Sequence, residues 1–156
     1  MDLILWRHAR AEDGVPDLER RLTARGREDA RRVGAWLRDR LPVDGVHVLC
    51  SPAVRARQTA DALGGRYEVV DALAPGADAD AAIEASGWSR GGEATVIVVG
   101  HNPWIGEAVA RLVGGCADGW PIRKAGAWWL SRREHDVLVR AVVSPELVRR
   151  GPVGLT

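Results

Sequence analysis

Apolar and polar positions fall into alternating blocks along the chain. Residues 3–6 form an apolar run of strand length, and residues 7–17 are polar and carry Gly14 and Pro16, as a loop requires. From residue 23 to about 41, Ala30, Val33, Leu37 and Leu41 recur every three or four positions while arginines fill the other face. That period predicts an amphipathic helix with Thr23 as its N-cap. Residues 46–50 predict a second strand. Ser51-Pro52 predicts the start of a helix that Gly64-Gly65 closes, because serine caps and proline at the first helical position gives up no needed N–H. A third strand over 67–70 and a short helix over 78–85 follow. Residues 95–99 are β-branched and suited to burial on both faces, the pattern of a central parallel strand. Asn102 and Pro103 predict the cap and first turn of a helix running to Gly114-Gly115. Runs at 127–130 and 137–143 flank the charged turn 131–136 and predict an antiparallel pair at a sheet edge. Together these elements predict an α/β fold: a three-layer α/β/α sandwich with a mostly parallel central sheet and an antiparallel edge near the C-terminus, in a single domain over 1–156.

Composition narrows the function. The 156 residues are about one domain's length, and 46% hydrophobic residues exclude a disordered chain. With 22 basic and 21 acidic residues the net charge is +1, so nothing draws the whole molecule to nucleic acid or an anionic membrane. No apolar run approaches the roughly 20 residues of a membrane helix, and residues 1–7 lack the basic head and long apolar stretch of a signal peptide. Cys50 and Cys116 fit neither a disulfide framework nor a paired zinc spacing; a cytoplasmic protein with buried, reduced thiols is expected. Lys124 is the only lysine among the 22 basic residues, and phenylalanine is absent while tryptophan occurs seven times. This skew reads as nucleotide composition, so single arginines say little. Clustered ones say more.

The cluster emerges at three strand ends. Arg7-His8 follows the first predicted strand, Arg55 lies one turn past the second, and His101 follows the fourth. Ligands of open α/β sheets bind outside the carboxyl ends of parallel strands, which would bring two arginines and two histidines to one rim. Two helix N-termini, at Ser51-Pro52 and Asn102-Pro103, would add partial positive charge there. Such a site suits a tetrahedral dianion, above all a phosphoryl group, which the planar fork of arginine holds by two oxygens. Binding alone does not require two histidines. One neutral imidazole can attack phosphorus while the other, protonated, helps the arginines hold the developing charge. No metal or other cofactor is implied: no histidine pair has helical ligand spacing, and no acidic cluster stands at the three strand ends.

These blocks resemble the histidine phosphatase superfamily. Leu5-Trp6-Arg7-His8-Ala9 is similar to its Arg-His-Gly signature, residues 51–60 to its second block, and Gly100-His101-Asn102-Pro103 to its third. Residues 20–26 resemble the Arg-Pro-Leu-Thr-x-x-Gly segment of the small SixA-type phosphohistidine phosphatases, with Arg21 in place of proline; Ala9 replaces the signature glycine. The resemblance implies a phosphoglycerate mutase-like fold, His8 as nucleophile, and Arg7, Arg55 and His101 around the phosphate. Arg20 is a candidate at the pocket rim and Asn102 a candidate for substrate contact or simple helix capping. His47 and His135 are expected to be structural or solvated, Arg57 to lie on a solvated helix face, and Trp104 to pack in the core more readily than line the pocket.

Cys50, at a strand end before Ser51 and Arg55, offers another nucleophile after the manner of a tyrosine-phosphatase loop, but the spacing to arginine is wrong and Pro52 interrupts the backbone N–H cradle. A proton donor is harder to find. Relatives acting on phosphate esters use a carboxylic acid, carried in the mutases by a long insertion between the second and third blocks. Here a strand and a short helix fill most of that gap. Asp78, Asp80, Glu84, Glu12 and Asp13 are undistinguished candidates. Phosphohistidine leaves as imidazole, a better leaving group than an alkoxide, so the shortage points to phosphohistidine on a protein partner. A small-molecule phosphomonoesterase, or a phosphate-binding regulatory module without turnover, are the other readings.

Overall fold

Alternation along β1 (Asp2–Arg7) sets the layers: Leu3 and Leu5 enter one core, Ile4 and Trp6 the other, and none is more than 2% exposed. The computed structural model describes residues 1–92, 94–115, 118–134 and 136–148, so Cys116 and His135 lie outside the described residues. The remaining elements are α1 (Ala24–Arg38), β2 (Val46–Cys50), α2 (Val54–Asp61), β3 (Glu68–Val69), α3 (Ala79–Ala85), β4 (Thr95–Gly100), α4 (Trp104–Gly114), β5 (Ala127–Arg133) and β6 (Asp136–Val143). They build a six-stranded sheet of order β3-β2-β4-β1-β5-β6, in which β1, β2, β3 and β4 run parallel while β5 and β6 are antiparallel. Apolar residues of α1 and α2 pack with Ile4, Trp6, Ile97 and Val99; those of α3 and α4 pack with Leu3, Leu5, Val96 and Val98. The α/β/α sandwich with its antiparallel edge is the predicted one.

The helix α1 begins as its sequence dictates. Thr23 accepts a hydrogen bond from the Gly26 N–H at 2.9 Å, and Ala30, Val33 and Leu37 are buried. Gly26 is required by contact rather than by conformation: a Cβ there would lie 2.0 Å from the Arg10 carbonyl oxygen. Both site helices start later than predicted. Ser51 continues the sheet, its N–H donating to Val99 at 3.0 Å, Ala53 is still extended, and α2 begins at Val54; the Ser51 hydroxyl accepts from Ala53 N–H, and the helix ends at Asp61 rather than at the glycines. Asn102 does not cap α4. The residue before that helix is Pro103, after a cis Asn102–Pro103 bond, and the His101 carbonyl takes the N–H of Ile105. Gly115, at φ 65°, ends α4 at the predicted glycines. The third strand contracts to two residues. No described helix is long and apolar enough to cross a membrane.

Candidate active site

Parallel pairing brings the predicted groups together. Arg7 is in register with Gly100 and Cys50 with Val99, so β1, β4 and β2 end side by side. His8 extends the ladder, its N–H donating to the Gly100 carbonyl at 2.9 Å. His101 follows on the neighbouring strand, and the two imidazole centroids are 5.0 Å apart at an interplanar angle of 54°. A single tetrahedral anion spans that separation. The glycine before His101 is needed for packing, since a Cβ on Gly100 would lie 2.0 Å from the Trp104 ring. Trp104 itself is fully buried in the core, as expected of it.

Local bonds decide the state of each ring. His8 Nδ1 is 2.7 Å from the Ala9 carbonyl, which can only accept, so Nδ1 carries the proton and Nε2 keeps a free lone pair. Burial, followed by the charges of Arg55, Arg7 and Lys124, pushes the His8 pKa down to about 4 despite the Ala9 bond. A neutral imidazole with a free Nε2 is a nucleophile near pH 7. His101 Nε2 lies 2.6 Å from the hydroxyl of the fully buried Ser51. Nε2 is the one acceptor within reach of this buried hydroxyl among the described residues, so the Ser51 proton goes to Nε2 and the ring proton sits on Nδ1. The protonated His101 expected from sequence is corrected here: burial, then His8, Arg55 and Arg7, hold its pKa at about 3, Asp17 opposing them only in part.

The arginines are anchored from behind. Arg55 is 4% exposed; its Nη1 donates to the Asp17 carbonyl at 2.7 Å and its Nη2 to the Asp17 carboxylate at 2.9 Å. Arg7 Nη1 donates to the Ile122 carbonyl at 2.5 Å. Both Nε atoms are buried without a protein partner, as is His101 Nδ1; Asn102 Oδ1 is unpartnered too, but an amide oxygen only accepts and does not bind an anion. An unpartnered buried polar group costs about 1–3 kcal/mol, so three such donors beside one another mark a ligand site.

Sequence reading missed the groups that hold this constellation. Asp17 sits in a 3-10 turn, Asp17–Glu19, and also pairs with Arg20 at 3.0 Å. Arg20 is therefore joined to the site through Asp17; it also donates to the Glu12 carbonyl and approaches Asp13 at 3.7 Å. Thr59 accepts from Ala9 N–H at 3.0 Å and donates to the Arg55 carbonyl, tying the residue after His8 to α2. Ala9 has no positive φ, so the missing signature glycine is not needed there for backbone freedom. Residues 122–126 lie against β1: Ala125 N–H donates to the His8 carbonyl at 3.1 Å and Arg7 N–H to Gly126 at 2.9 Å. Ser51 could have been recognised from its place in the second block; Asp17 and residues 122–126 carry no periodic signal.

Other candidates are engaged elsewhere. Asp78 caps α3 through the N–H groups of Asp80 and Ala81, Asp80 pairs with Arg111 at 2.7 Å, and Glu84, Glu12 and Asp13 are exposed. Burial raises the Cys50 thiol to about 12, and its sulfur lies in the core, which removes it as a nucleophile. His47 and Arg57 are exposed, as expected. Among the described residues, no group of three His, Cys, Asp or Glu side chains is placed to hold a metal ion.

The chain belongs to the histidine phosphatase superfamily, whose branch 1 matches residues 3–74. The phosphohistidine phosphatase SixA of Escherichia coli is 33% identical over 125 residues, covering 74% of this chain and 76% of that protein. An uncharacterized protein of Mycobacterium tuberculosis is 42% identical over 105 residues, covering 62% of this chain; the match spans only 63% of that relative's length. The structure of the protein histidine phosphatase SixA complexed with tungstate superposes with a TM-score of 0.81 at 26% identity, covering 96% of this chain and all of that one.

Proposed function

We propose that this chain is a phosphatase that works through a phosphohistidine at His8, and that its substrate is phosphohistidine on a protein. The supporting observation is the gathering of unpartnered, buried donors from Arg7, Arg55 and His101 around an imidazole whose Nε2 is free. His8 Nε2 attacks phosphorus and forms a P–N bond. The substrate's own P–N bond breaks, and its electron pair leaves on the departing imidazole, which takes a proton from solvent. Water then attacks phospho-His8, phosphate leaves, and Nε2 regains its lone pair. Throughout, Nδ1–H stays on the Ala9 carbonyl and stabilises the positive ring that forms on attack. The donors of Arg7 and Arg55 meet the equatorial oxygens, and His101, kept neutral chiefly by burial, donates its unpartnered Nδ1–H to the transition state as a further hydrogen bond.

The choice of substrate rests on the acid. Asp17 is the carboxylate that acts on His101, and hydrogen bonds from Arg20 and Arg55 lower its pKa, so it is ionised at neutral pH and donates no proton. An imidazole leaving group tolerates that; an alkoxide does not. Phosphate release is therefore expected to be faster from a phosphohistidine peptide than from a sugar phosphate under matched conditions. Faster release from the sugar phosphate would overturn the substrate assignment.

A further inference from the structure

Outside the buried donors, two cations stand beside the site and form no ion pair among the described residues. Arg10 lies two positions past His8 and is exposed; its carbonyl accepts from Thr23 N–H at 3.0 Å and abuts Gly26, which fixes its place on the loop. Lys124, also exposed, adjoins Ala125, whose N–H bonds the His8 carbonyl. Its charge reaches His8, and after burial the neighbours that lower its own pKa are Arg7, Arg10 and Arg20, with the exposed Asp13 opposing them. Arg20 is already committed to Asp17, and the exposed Asp13 lies 3.7 Å from Arg20. Holding Arg10 and Lys124 near each other and near Arg7 concentrates like charge in a chain whose net charge is only +1, so general basicity does not explain it. Nor do these two side chains belong to the buried ring that meets the phosphoryl group. An anion extending beyond the phosphoryl would reach them.

We infer that Arg10 and Lys124 form a contact surface for acidic side chains flanking the phosphorylated residue of a partner protein. This rests on the phosphatase reading and refines it: the preferred substrate is a phosphohistidine in an acidic setting. Exposed charges of this kind act through encounter and orientation, and salt screens them.

The test uses two phosphohistidine peptides that differ only in flanking glutamates against glutamines. The wild-type chain is expected to show a kcat/KM about tenfold higher for the acidic peptide at low salt, narrowing as salt rises toward about 0.5 M. In the double variant Arg10→Gln, Lys124→Gln the preference disappears, while turnover of phosphoramidate stays within about threefold of wild type. Equal rates on the two peptides in the wild type, or a preference that survives the double substitution, would overturn the inference. Failure of the wild type to turn over phosphoramidate would instead overturn the phosphatase reading. In that case the affinities of the two peptides, measured by fluorescence anisotropy, still decide whether the surface prefers acids.

Discussion

At the scale of single residues, two oxygens set the chemistry: the Ala9 carbonyl gives His8 its tautomer, and the Ser51 hydroxyl does the same for His101. Arg55 depends just as much on Asp17, which takes both its terminal nitrogens and leaves Nε as the buried, unpartnered donor. Replacing Asp17 by alanine removes the carboxylate bond but keeps the backbone one, so the guanidinium can swing. The expected result is a 10–100-fold fall in kcat/KM for phosphoramidate, roughly what a misplacement of about 1 Å costs, with a lower unfolding temperature as well because the buried Arg55 loses its ionic partner. Unaltered kinetics would show that Arg55 keeps its place without this partner.

At the scale of elements, the antiparallel edge is locked at the end of β1 remote from the site. Asp2 accepts from Ser131 at 2.6 Å, from the Trp129 indole at 2.9 Å and from Arg140 at 2.5 Å, joining β1, β5 and β6. Burial pushes the Asp2 pKa up, but these three bonds outweigh it and keep the carboxylate ionised. Asp2→Ala strands the indole and hydroxyl donors and is expected to destabilise the fold by about 1–3 kcal/mol in urea unfolding, with kcat/KM unchanged. A loss of activity at retained stability would mean the edge is coupled to the site. Elements of this kind were largely legible in sequence. Leu3 to Trp6 and Thr95 to Val99 have the pattern of buried strands, and Thr23 announces α1, because side-chain period and capping are local properties. Ser51-Pro52 and Asn102-Pro103 misled because each follows a strand whose ladder continues past its last apolar residue, delaying the helix. The four residues His8, Arg7, Arg55 and His101 could be read because strand ends fix their place. Asp17, Thr59 and Lys124 could not, since their contacts depend on the path of loops that carry no period.

At the scale of the whole molecule, burying two histidines among cations makes stability depend on pH. Both fold with depressed pKa values, about 4 for His8 and about 3 for His101, against roughly 6.5 in an unfolded chain. The unfolded chain thus binds more protons below about pH 6.5, so stability is fully present above that pH and is lost as pH falls toward 4. The loss is about 3 kcal/mol for each histidine, and thermal melts between pH 7 and 4 should show it before the carboxylates of Asp2 and Asp17, whose pKa values are lowered, begin to protonate. A melting temperature flat across that window would contradict the buried, neutral pair. The central claim, that these strand ends put phosphorus on one imidazole, has a more direct test. The chain is mixed with phosphoramidate, quenched within milliseconds to seconds, and digested under alkaline conditions for mapping of acid-labile phosphate. The account predicts a phosphoryl group on His8 alone, absent from His8→Ala; phosphate on another residue, or turnover that persists in His8→Ala, would contradict it.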